Sequence, residues 1–121
     1  MQVLEIQGYS YESSEALLRK LNRSLVNSGG WILERRAITN TTFEVSVEFE
    51  LRLIVDLYAA MIAAGLELTR CNHMALTDLC TCRKNLSTPA DLGQIVEICL
   101  EISFLADLTL HSLLVAGNTS A

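Results

Sequence analysis

Charge is scarce in this sequence: 19% of the 121 residues are Asp, Glu, Lys or Arg, while 50% are apolar. Acids outnumber bases by 14 to 9, for a formal net charge of −5. That balance lacks the basic surface that phosphate contacts need, so nucleic acid is not an expected partner. Long hydrophobic runs are missing too. The longest charge-free apolar stretch, Leu57 to Leu66, has about half of the ~20 residues a helix needs to cross a bilayer. No membrane contact is expected. The opening residues, MQVLEIQGYSYESS, have no basic region followed by an apolar stretch, so no signal peptide is expected. The expectation is a cytoplasmic protein with reduced thiols. No phosphate loop, G-x-G-x-x-G, G-x-S-x-G or C-x-x-C occurs, and no catalytic residue or cofactor is assigned.

What is present is regular patterning along one domain, residues 1–121, long enough to bury a core without disulfide staples. Residues 1–8 (MQVLEIQG) alternate as a strand that should end at Gly8. Ser13, Ser14 and Glu15 suit a helix start, and Leu17, Leu18, Leu21 and Leu25 follow at helical spacing until Gly29-Gly30 ends the run. Residues 42–51 (TFEVSVEFEL) alternate most clearly, with Trp31 to Ile38 as the preceding strand. A Thr39-Asn40-Thr41 loop would pair Trp31 with Phe49, Leu33 with Val47, Arg36 with Glu44 and Ala37 with Phe43, and would leave Arg35 against Val45. A second helix, Leu51 to Ala64, is apolar nearly all round. The expected core stripe is Leu51, Ile54, Val55, Tyr58 and Ile62; a second stripe, Leu53, Leu57, Ala60, Met61 and Ala64, needs other cover. Residues 95–104 (IVEICLEISF) alternate as a further strand, and the apolar tail after Leu105 suggests additional ones.

The stretch CNHMALTDLCTC, residues 71–82, holds three of the four cysteines and one of the two histidines. Cys71, His73, Cys80 and Cys82 would suit zinc if they met across a hairpin turning at Leu76-Thr77. A turn at Asn72-His73 suits the residue types better, because Asn and His tolerate positive φ. In that register the cysteines never meet, and Cys80, Cys82 and Cys99 are expected to be small buried side chains, with a place in a subunit contact open to them. The structural reading is preferred, with no metal assigned.

The order strand-helix-strand-strand-helix-strand resembles the ferredoxin-like layout, and within it the ACT-like small ligand-binding domains, over residues 2–70. The resemblance is one of topology and carries no motif. It implies an α+β fold, an antiparallel sheet covered by two helices on one face, with extra C-terminal strands. It also implies a ligand near the first strand-helix turn at a subunit interface, here Gly8, Tyr9, Ser10 and Tyr11. Together with the apolar excess, this suggests a non-enzymatic, oligomeric (dimer or higher) binding or regulatory module for a small molecule. Two alternatives stand beside it. One is a dimeric α+β barrel enzyme with a cavity between sheet and helices, using His73, His111 and Tyr58. The other is the zinc hairpin.

Overall fold

The computed structural model describes residues 2–85 and 92–105. In chain order they form β1 (Gln2–Ser10), α1 (Ser14–Asn27), β2 (Trp31–Ala37), β3 (Thr42–Glu50), a short 3-10 turn (Leu51–Leu53), α2 (Ile54–Ala63), β4 (Glu67–Leu68), α3 (Arg70–Asn85) and β5 (Ile95–Phe104). The five strands make one sheet in the order β2-β3-β5-β1-β4. Mixed α/β architecture with a single sheet is as expected. The arrangement differs from the ferredoxin-like, wholly antiparallel expectation in two ways. The last strand, β5, inserts between β3 and β1 and runs parallel to β1. A third helix also joins the other two. Residues beyond Leu105, where extra strands were expected, lie outside the described residues.

β5 takes the centre on the strength of its apolar face. Val96, Ile98, Leu100, Ile102 and Phe104 are buried, in step with Ile6 on β1 and Val45, Val47 and Phe49 on β3. Leu17, Leu21 and Leu25 of α1, Leu57 and Met61 of α2, and Leu76 and Leu79 of α3 complete the same core. Among the described residues, these side chains pack together between the sheet and the helices. No described helix is long and apolar enough to cross a membrane.

Local chemistry sets the element ends. The Ser13 hydroxyl accepts from Ala16 N at the start of α1, and Gly29 takes φ +91° after its end. Gly65, at φ +104°, closes α2. β1 does not stop at Gly8 but runs through it to Ser10. Glycine is needed there for space: a Cβ would come within 2.9 Å of Leu66 and 3.1 Å of the Glu67 carbonyl, because β4 crosses so closely.

Three further expectations are corrected. Ala37 pairs with Phe43, Arg36 with Glu44 and Arg35 with Val45 as expected, but a bulge between Ile32 and Glu34 shifts the rest. Trp31 then faces Glu48 rather than Phe49, and turns to the open side of the sheet. The expected core stripe of the second helix holds at Leu51 and Ile54 but not at Val55 and Ile62, which are exposed; Leu57, Met61 and Ala64 of the second stripe are buried in their place. Both stripes are apolar, so periodicity could not choose between them; Leu57 and Met61 join the same core cluster as Leu17, Leu21 and Leu25 of α1. Lastly, residues 71–82 form no hairpin in either register. They are the body of α3.

Candidate functional site

α3 begins where β4 ends, after Thr69, whose carbonyl accepts from His73 N at 2.9 Å. Asn72 is the hinge of this corner. Its Nδ2 donates to Thr69 Oγ1 at 2.6 Å, and its Oδ1 accepts from Gln7 N at 3.1 Å on β1. Helix follows because Leu76 and Leu79 recur at the spacing that faces a core, with Ala75 and Cys80 beside them. The zinc arrangement is excluded by this geometry. Cys71 and Cys80 are nine positions apart on one helix, about 13 Å along its axis, and Cys71 is exposed. Among the described residues no group of three or more metal-ligating side chains converges.

The same corner shapes a groove of about 460 Å³ lined by Gln7, Gly8, Tyr9, Tyr11, Thr69, Ser103 and Leu105. It sits at the carboxyl ends of β1 and β5, the parallel pair, where Tyr9 stands beside Ser103. Of the turn residues singled out in the sequence, Gly8, Tyr9 and Tyr11 line it. Ser10 does not: it is fully buried, and its hydroxyl accepts from Glu12 N at 3.1 Å. That bond bends the chain from β1 into α1. Glu12 adds a second tie by pairing with Lys20 at 2.6 Å. The turn presents Tyr11, 66% exposed, edge-on to Tyr9, with ring centroids 6.0 Å apart and an interplanar angle of 88°. Gln7, Thr69 and Ser103 supply polar atoms at the rim. Thr69 and Ser103 were not foreseen, since only the folded register brings residues 69 and 103 to residue 9.

A second, wider groove of about 590 Å³ runs between α2 and α3, lined by Val55, Tyr58, Ala59, Ile62, Ala63 and His73. Here the Tyr58 hydroxyl is hydrogen-bonded to His73 Nδ1. The structure thus joins two of the three side chains considered for an enzyme; His111 lies outside the described residues.

The face of the sheet away from the helices carries Glu5, Glu44, Glu48, Glu97 and Glu101. Cys99 stands among them, between Glu5 on β1 and Ser46 on β3. The Ser46 hydroxyl donates to Cys99 Sγ at 3.8 Å. Burial pushes the Cys99 thiol above its ordinary pKa, and the Glu44 and Glu5 carboxylates push the same way. This thiol is a poor nucleophile and a poor ligand at neutral pH.

No family model matches the chain, and neither the curated proteins nor the solved structures contain a match to it.

Proposed function

We propose that this chain is a non-enzymatic, oligomeric module that binds a small molecule in the groove beside Tyr9 and Tyr11, in a regulatory or carrier role. The observation that carries the reading is the perpendicular Tyr9–Tyr11 pair at the carboxyl ends of the parallel strands. It combines apolar faces with nearby amide and hydroxyl groups from Gln7, Thr69 and Ser103. The volume falls in the usual range for small-ligand sites, and open sheets place ligands at strand carboxyl ends. This is also where the ACT-like resemblance puts an effector. Binding would order Tyr11, whose ring is otherwise mostly in solvent.

The test is a thermal-shift panel on the full chain with free amino acids, nucleotides and aromatic carboxylates, followed by calorimetry of any hit. Tyr11→Ala should weaken binding about tenfold or more, while Ile62→Ala, in the other groove, should not. A ligand indifferent to Tyr11→Ala but lost in His73→Ala would overturn the reading.

That second outcome belongs to an alternative supported by the Tyr58–His73 hydrogen bond. A histidine whose Nδ1 is held by a hydroxyl keeps Nε2 for proton transfer. The enzyme reading then moves from a cavity under the sheet to the outer groove between α2 and α3.

A further inference from the structure

The two edges of the sheet are finished differently. At the β1 edge, β4 contributes two residues, and Asn72 then takes the Gln7 amide. At the other edge β2 runs for seven residues, and no described strand pairs with its outer side. Trp31, Leu33 and Ile38 are 50%, 49% and 44% exposed along this edge. A long strand with open backbone groups and apolar side chains is a template for another strand.

Ile38 N donates to Thr42 O at 2.8 Å, and Arg36 and Glu34 pair with Glu44 and Ser46. Antiparallel ladders alternate, so residues 34 and 36 turn their amides and carbonyls toward β3. Those of Arg35 and Ala37 point away from the sheet. Charge then selects a register. A two-fold axis at Arg35 sets Glu34 of each copy opposite Arg36 of the other, and Leu33 opposite Ala37. Each of the axes at Glu34, Arg35 and Arg36 sets its own charged residue against its copy, but only the Arg35 axis also forms Glu–Arg pairs, two of them, which outweigh the single Arg35–Arg35 opposition. Arg36 already holds Glu44 at 3.1 Å, and its five donors leave room for a second carboxylate. Glu34 has no side-chain partner among the described residues and is free to supply it.

We propose that β2 is the interface to a second copy of this chain, joined antiparallel about Arg35 into one continuous ten-stranded sheet. The inference rests on the oligomeric part of the proposed function and names its surface. β3 and β5 separate β2 from the tyrosine groove, so the two can fail independently: ligand binding by a monomer would sink the dimer and the oligomeric part of that reading, and leave the groove standing.

Sedimentation equilibrium of the full chain should show a monomer–dimer equilibrium in the micromolar to sub-millimolar range. Ala37→Pro removes only an outward amide and suits an edge strand; Glu34→Arg reverses the charge pair. Each should weaken dimerisation about tenfold or more, with circular dichroism unchanged. Residues facing each other across such a pair lie ~5.5 Å apart at Cα, inside the disulfide range. Oxidised Arg35→Cys protein should therefore show a disulfide between position 35 and its copy by peptide mapping, even if the other variants fold poorly. A wild-type chain that stays monomeric, or a dimer that neither variant weakens and position 35 does not link, overturns the proposal. Pairing of β2 with an unrelated extended peptide in place of its own copy would overturn it equally.

Discussion

At the scale of single residues, Cys99 shows how position rather than identity sets chemistry. It occupies an outward-facing site on the central strand, yet strand neighbours on both sides half-bury it. Burial comes first in raising its pKa, and the carboxylates of Glu44 and Glu5 add to it, against the hydrogen bond from Ser46. Thiol labelling near neutral pH should therefore modify exposed Cys71 fast and Cys99 slowly, as read by mass mapping over time; equal rates would contradict this placement. The linked effect on stability has a definite sign. A thiol whose folded pKa is raised contributes stability in full below its unfolded pKa, and that contribution fades as pH rises through the folded value. Denaturation midpoints should therefore fall on the alkaline side of the ordinary thiol pKa, and Cys99→Ser should flatten that slope. None of this was legible beforehand. The sequence shows Cys99 as the polar-side member of an alternating strand, and its carboxylate neighbours arrive from β1 and β3.

Among the elements, α3 departs furthest from local expectation. Three cysteines and a histidine in twelve residues drew attention to ligand spacing and to turns, while Ala75, Leu76, Leu79 and Cys80 already had the i, i+3, i+4 pattern of a helix. Thr77 and Thr81 add β-branched residues that favour strands. In α3 their hydroxyls bond to the carbonyls four residues earlier, His73 and Thr77, at 2.8 and 3.1 Å. Helix and hairpin make opposite demands on neighbouring side chains. Leu76 is fully buried and Met74 is 55% exposed. Leu76→Ala should cost roughly 2–5 kcal/mol in chemical denaturation, whereas Met74→Ala should stay within about 0.5 kcal/mol. Similar losses at both positions would contradict the helix. By contrast α1, β3 and β5 were legible from pattern alone, because each has one strongly apolar face and clear ends.

For the molecule as a whole, the acidic excess collects on the open face of the sheet. The register sets Glu44 beside Glu101 and Glu48 beside Glu97, and like charges directly opposite one another are destabilising. Arg36 relieves Glu44; Glu48 and Glu97 have no such relief among the described residues. Glu97→Lys should thus stabilise the fold by about 0.2–1 kcal/mol. Added sodium chloride should raise the melting temperature of the wild type more than that of this variant, since salt screens exposed charges. Calorimetry over a salt series checks both, and a destabilised variant would show that the face is not self-repelling. The same register brings Tyr9, Thr69 and Ser103 to one groove and leaves β2 at an open edge.

Local pattern alone determined most of the elements: alternation made β3 and β5, leucine spacing with a serine cap made α1, and Gly29 and Gly65 ended two helices. Even the Arg36–Glu44 pair follows from a short loop and period two. What only the tertiary structure decided is what depends on contacts distant in sequence. Those are the insertion of β5 between β3 and β1, the bulge that turns Trp31 outward, which of two apolar stripes α2 buries, and the helix at residues 70–85. In each case local preference is nearly balanced between alternatives, and burial against elements far along the chain makes the choice.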